Sequence, residues 1–239
     1  MTDPAQLRLH LELGATHWWL LETKRLAARV LERQLGRHGL VLDAGAGVTG
    51  LAALLEPPFR VVSADISEAA QTLAQRAGAR RLVRATVEDL PFRAGAFDAV
   101  VSLDVIYHRD VREDRRAVRE MARVLRSGGV LVVNLPAYEW MRSSHDDPAG
   151  TARRYTRAGV ARLLSEAGLT LVQTTYRNTL LFPLAVVRRK VLRHSGSDLE
   201  RSNPAVNRLL RLVLRAEGLW LRRWSFPFGL SVFAVARKR

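Results

Sequence analysis

The sequence predicts an α/β protein with a mostly parallel sheet and helices on both faces. Three observations predict it. Short apolar runs alternate with amphipathic stretches from about residue 39 to residue 176. Runs such as GLVLDAG, FDAVVSLDV and VLVVNLP are close to continuously hydrophobic, as strands buried on both faces must be. Glycines, prolines and capping residues separate the runs at the spacing of β–α–β units.

Each element follows from its own residues. Two helical stretches open the chain, at about 4–13 and 16–36, the second stopped by Gly36, His38 and Gly39. GLVLDAG is a strand; VTGLAALLE is helical up to Pro57-Pro58. RVVSADI is a strand, and SEAAQTLAQRAG a helix with Ser67 as its cap and Gly78 at its end. RLVRATV is a strand, EDLPFRAGA a loop and FDAVVSLDV a strand. DVREDRRAVREMARVLRSGG is a long amphipathic helix halted by Gly128-Gly129, and VLVVNLP follows as a strand. TRAGVARLLSEAG is a helix capped by Thr156, and LTLVQTTY and GLSVFAVARKR are the last two strands. Between those two lie amphipathic stretches, TLLFPLAVVRRKVLRH and PAVNRLLRLVLRAEGLWLRRW, the second with arginines set among leucines at helical spacing.

Composition narrows the function. The 239 residues are 48% hydrophobic, enough for a full core. The absence of cysteine excludes disulfides, thiolate metal sites and a cysteine nucleophile, and it fits a reducing, cytoplasmic setting. No secretory signal and no spanning run of about 18 apolar residues is visible. The six histidines are scattered, so no metal site is expected. The net charge of +15 is uneven: residues 153–239 hold 18 Lys and Arg against 4 Asp and Glu. That surface is either simply solvated or faces an anionic partner such as phospholipid, a phosphorylated substrate or nucleic acid. Aromatic–basic interleaving is sparse outside 219–224, which ranks nucleic acid low.

VLDAGAGVTG, residues 41–50, carries Gly45, Gly47 and Gly50 at the glycine positions of a dinucleotide fingerprint. Asp65 stands twenty residues after Gly45, where an acid would hold ribose hydroxyls. Those features alone fit a nicotinamide oxidoreductase as well as other adenosine-bearing cofactors. Asp43 would repel a pyrophosphate, yet it suits a ligand with an amino group. EDLPF, residues 88–92, offers an acid for an exocyclic adenine amine and an apolar neighbour for the ring.

LDAGAGVTG, ADIS, VEDLPF, FDAVVSLDVIYH and VLRSGGVLVVNLP, in this order and spacing, resemble the class I S-adenosylmethionine-dependent methyltransferases over about residues 39–176 and the final strand. The resemblance implies a Rossmann-like sheet of seven strands with the last antiparallel. It implies that Gly45, Ala46 and Gly47 approach the methionyl part of the cofactor, with Asp43 helping its positive end. Asp65, with Ile66 beside it, takes the ribose, and Asp89 takes the adenine amine between Glu88 and Leu90. Leu103 and Asp104 sit beside the methyl donor. A further resemblance, carried by HWWLLETKR, DVIYHR, PAYEWMRSSHDDPAGTARRYT and TYRNTLLFP, is to a bacterial subgroup whose substrates are mostly unassigned. The expected division is an N-terminal helical lid over 1–38, a cofactor-binding core over 39–177 and 229–239, and an amphipathic helical insertion over 178–228.

Methyl transfer is an in-line displacement, and a base is needed only for an acceptor that binds protonated. His145 and His108 are the candidate bases, with Tyr107 beside the second. Asp146, Arg153, Arg154 and Tyr155 either hold an anionic acceptor group or open a helix. His17, Trp18 and Trp19 either cap the ligands or pack the first helix on the sheet, and Arg25 is the candidate for the methionyl carboxylate. The expected acceptor is a small molecule, a natural product or a lipid- or sugar-linked intermediate. The insertion is either a substrate lid or a surface for anionic membrane at which the protein binds peripherally. The alternatives are a NAD(P)-dependent oxidoreductase and an RNA-directed methyltransferase using the basic C-terminal third.

Overall fold

In a computed structural model of the protein, the residues described are 11–14, 16–144, 146–147, 149–188, 203–221 and 223–239. Their sheet has seven strands in the order β3-β2-β1-β4-β5-β7-β6. These are β1 Leu40–Ala44, β2 Arg60–Asp65, β3 Leu82–Arg84, β4 Phe97–Leu103, β5 Leu125–Pro136, β6 Leu169–Arg177 and β7 Ser231–Lys238. β1 to β5 pair in parallel, and β7 runs antiparallel between β5 and β6. The expected architecture is therefore present, including the reversed last strand.

The helices are α1 Trp18–Leu35, α2 Ala52–Leu55, α3 Glu68–Arg76, α4 Asp114–Val124, α5 Arg157–Glu166, α6 Phe182–Val186 and α7 Pro204–Trp220. Ser67 and Thr156 cap α3 and α5 as predicted, accepting from the Ala70 and Gly159 amides. Alternate residues of the central strands feed two cores. Val100, Leu131 and Val133 pack with α4 and α5; Val101, Val130 and Val132 pack with Leu26, Val30 and Leu31 of α1. Of the first predicted helix, 4–13, residues 1–10 lie outside the described residues, and 11–13 are helical.

Three elements are shorter than predicted. The helix expected over 48–56 keeps only its last turn, because polar groups hold residues 45–50 as a loop. The strand expected over 81–87 contracts to three residues. The long helix stops at Val124, and Gly128-Gly129 lie inside the irregular start of β5, where the register against β4 shifts. α7 packs on α1. Asn207 of α7 accepts from the Trp18 amide at 2.9 Å and donates to the Thr16 carbonyl at 2.8 Å, so a distant helix caps the first one.

Candidate active site

The parallel strands β1 to β5 all end at one edge, where ligands bind in doubly wound sheets. β1 delivers Asp43 to that edge, and the chain then turns through Gly45 (φ 84°) and Gly47 (φ 58°). A side chain at Gly45 would strike Val105 at 2.4 Å, whereas one at Gly47 would point into open space. The amides of Gly45 and Ala46 both donate to the Ala64 carbonyl of β2. Asp65 accepts from the Gly47 amide at 2.7 Å and from the Ser67 amide at 2.9 Å. Ile66, the next residue, is 51% exposed, an apolar surface for a flat ring.

Asp43 is buried and accepts from the Leu51 amide at 2.7 Å. Burial pushes its carboxyl up to about 6 despite that bond and the neighbouring Lys24. Lys24 donates to the Thr49 carbonyl and, at 2.8 Å, to its hydroxyl; burial lowers its ammonium to about 8. Lys24 is thus the cation on the glycine loop. Arg25, the residue expected there, faces the other way and pairs with Glu22 at 2.7 Å. Adjacent helical residues point about 100° apart, so the two cations reach different partners.

After β3, Asp89 is exposed, while its neighbours have other tasks. Glu88 accepts from the Arg112 and Glu113 amides at the start of α4, at 3.1 and 2.8 Å. Leu90 is buried in the core under α4. The expectation that both flank an adenine ring therefore narrows to Asp89.

At the end of β4, Leu103 leads into Asp104, which holds a left-handed backbone (φ 58°). Its carboxylate accepts from the Asn134 amide of β5 at 2.8 Å and from the Trp19 indole, with the Arg177 guanidinium nearby; burial pushes it up to about 6. Arg177, at the end of β6, is itself buried. It donates to Thr23 at 3.1 Å and lies over the Phe233 ring. Trp19 thus bridges the lid helix to the sheet edge. His17 is buried against Trp18, so both pack α1.

The polar residues expected to meet the acceptor mostly hold the loops around it. Asp146 and Arg154 form a buried pair at 2.6 Å; Asp146 also accepts from the Ser143 amide, and Arg154 donates to the Ala137 carbonyl. Arg153 donates to the carbonyls of Val111 and Arg112, and the Tyr155 hydroxyl to Asp114. His108 packs against Gly150, and its Nδ1 accepts from the Asp110 amide at 3.2 Å. In the neutral ring, which burial favours, the proton then sits on Nε2, so His108 is not poised as a base. The Tyr107 phenol lies within electrostatic reach of Asp104, Asp146 and Arg154, and burial pushes its titration up, so it stays protonated. His145 lies outside the described residues.

Sequence reasoning missed Lys24, Asn134, Arg177 and an aromatic wall. In that wall Tyr138 stacks on Tyr176 and Trp140 at 4.9 and 5.6 Å, and Phe182 bridges Trp140 to Phe228. The PAYEW stretch was the available signal, with rings two residues apart just beyond β5.

A glycine loop after β1, an acid at the end of β2 and an acid after β3 on this sheet define a Rossmann-like, nucleoside-binding protein. Residues 42–133 match the family model described as a methyltransferase domain. The chain is 36% identical to the demethylmenaquinone methyltransferase of Clavibacter sepedonicus, over 57% of this chain and 56% of that protein. It is 34% identical to the "Probable tRNA methyltransferase 9B" of Mus musculus, over 54% of this chain and 28% of that protein. Its fold matches the geranyl diphosphate C-methyltransferase of Streptomyces coelicolor, solved with S-adenosyl-L-homocysteine, with a TM-score of 0.58 and 17% identity over 90% of this chain and 78% of that one. The chain thus spans about half of the first of these relatives and about a quarter of the second. These likenesses support a class I S-adenosylmethionine-dependent methyltransferase, with S-adenosylmethionine as its cofactor.

Proposed function

We propose that this protein methylates a small-molecule acceptor seated at the ends of β4, β5 and β6. The observation that carries this reading is Asp104, half-buried at the end of β4 and held by Asn134 and Trp19. The residues fit the cofactor: Gly47 opens onto free space, Asp65 and Asp89 stand at the ends of β2 and β3, and Asp43 and Lys24 offer opposite charges at the loop. When bound, S-adenosylmethionine supplies an activated methyl group. The chain's own work is to align the acceptor, exclude water and, for an acceptor that binds protonated, take a proton. Trp19 and α1 roof the site; the Tyr138–Trp140–Phe182–Phe228 wall bounds it with apolar surface. Asp104 Oδ is the group for the proton, in place of His108, whose Nδ1 is already engaged. That seat suits a natural product or a lipid- or sugar-linked intermediate with one polar group and a large apolar part.

Calorimetric titration with S-adenosylhomocysteine, with NAD in parallel, tests the donor site; binding of NAD alone would overturn it. Turnover on a panel of apolar hydroxy and amino compounds tests the acceptor. Total loss of turnover in the variant His108→Ala, with Asp104→Asn unimpaired, would return the base to the histidine.

The mouse relative's name and the basic C-terminal third support a second reading, an RNA acceptor. Neutralised phosphates make such binding fall steeply with salt. RNA affinity that is weak and independent of salt would remove it.

A further inference from the structure

α7 is amphipathic twice over. Its inner face, Leu214, Glu217 and Gly218, is buried. Glu217 accepts from the amides of Asn178 and Thr179, which fixes the helix to the chain just after β6. Its outer face is also apolar. Val206, Leu209, Leu212, Leu219 and Trp220 are each about half exposed or more, and Trp224 just beyond is 63% exposed. A solvated helix should show polar side chains there.

Charge surrounds this apolar stripe. The one acid of α7 is the buried Glu217, whereas Arg208 and Arg223 are exposed. Arg211 and Arg215 share a single partner, the buried Glu22, with Arg25. The stripe also runs on toward the acceptor seat. Leu180 follows the segment anchored on Glu217, and Leu180 and Leu184 are 60% and 66% exposed. Phe182 between them touches Trp140 and Phe228 of the aromatic wall.

We propose that this face, α7 with the 180–187 segment, docks on the surface of a membrane rich in anionic lipid. Exposed leucines and tryptophans insert among the acyl-chain boundary, and arginines flanking them meet lipid phosphates. No helix among the described residues is long and apolar enough to cross a membrane, so the contact lies in the interface plane. The consequence for the proposed reaction, on which this surface itself does not depend, is that the acceptor seat opens toward the bilayer.

The test is co-sedimentation of the intact protein with vesicles of phosphatidylcholine and phosphatidylserine, against phosphatidylcholine alone, at low and high salt. Binding is expected to the anionic vesicles only and to weaken with salt. Arg208→Gln and Arg223→Gln should each weaken it about fivefold, and the double variant Leu209→Gln/Trp220→Gln about tenfold or more. These positions are exposed, so S-adenosylhomocysteine binding should be unchanged in every variant. That control separates failure of this surface from failure of the proposed reaction. Absence of binding to anionic vesicles at low salt overturns the proposal, as does binding insensitive to the apolar double variant. A dimer in light scattering that Leu209→Gln/Trp220→Gln dissolves would assign the face to a second copy and also overturn it. So would RNA binding lost with the arginines but not with the apolar residues.

Discussion

The donor half and the acceptor half of the sheet edge are built in opposite ways. On the donor side, under β1 to β3, the carboxylates are tied to backbone amides: Asp43 to Leu51, Asp65 to Gly47 and Ser67. On the acceptor side, under β4 to β6, the ties run between side chains: Asp104 with Asn134 and Trp19, Arg154 with Asp146, Arg177 with Thr23. A site made of local turns can be specified by a short motif. Pairs such as Arg177 with Thr23, 154 residues apart, need distant elements to meet before the contact exists.

The largest expected effect breaks the acceptor half alone. Arg154→Ala leaves Asp146 buried without its cation and should cost about 3–5 kcal/mol in urea unfolding, while the folded fraction keeps its S-adenosylhomocysteine affinity. Equal loss of cofactor binding would mean that the two halves are not separable.

Next is the donor half. Asp65→Ala removes charged acceptors from the Gly47 and Ser67 amides and from the proposed ribose site, and should weaken S-adenosylhomocysteine binding about thirtyfold by calorimetry. An unchanged affinity would move the ribose site elsewhere.

Asp104 sharpens the comparison through pH. Its folded value, about 6, lies above the ordinary 3.8, so the buried carboxylate costs stability that appears as pH rises from about 4 to 6. Asp104→Asn should therefore be more stable by on the order of 1–2 kcal/mol at neutral pH and unchanged at pH about 4. The activity of the native protein should fall as pH drops through about 6, and the variant should lack that limb. A variant with the native profile would remove Asp104 from the proton's path.

The smallest effect is that of Trp19→Phe, which deletes one hydrogen bond to Asp104 and keeps the ring. The acid limb should move up by a few tenths of a pH unit, with stability changed by about 1 kcal/mol or less.

The same contrast explains how much was legible in the sequence. Gly45, Gly47 and Asp65 lie between strand and helix, and Asp89 in the loop after β3, as their local sequence encodes. The seven strands and the reversed last one followed from the family resemblance; their order did not. The helix over 48–56 was overestimated because apolar periodicity cannot reveal that Asp43 and Lys24 would hold residues 49–51 by their backbone. Arg153, Arg154 and Tyr155 could be read as anion ligands or as a helix start because the sequence lists donors without their acceptors. The acceptors are Asp146, Asp114 and loop carbonyls brought in by the fold. Lys24 against Arg25 was a question of helical phase, which one residue reverses.

The place of β7 has a consequence for biosynthesis on the ribosome. Among the described residues, the only strand paired with β6 in the sheet is β7, which follows it by more than fifty residues. While those residues are still being synthesised, the β5 and β6 edges toward β7 stand unpaired, and Arg177 cannot be brought to its final place. The donor half, complete once β4 and β5 have emerged, can collapse well before that. Nascent chains arrested before residue 231 should therefore already bind the cofactor analogue while their β6 edge remains open to pairing with another chain.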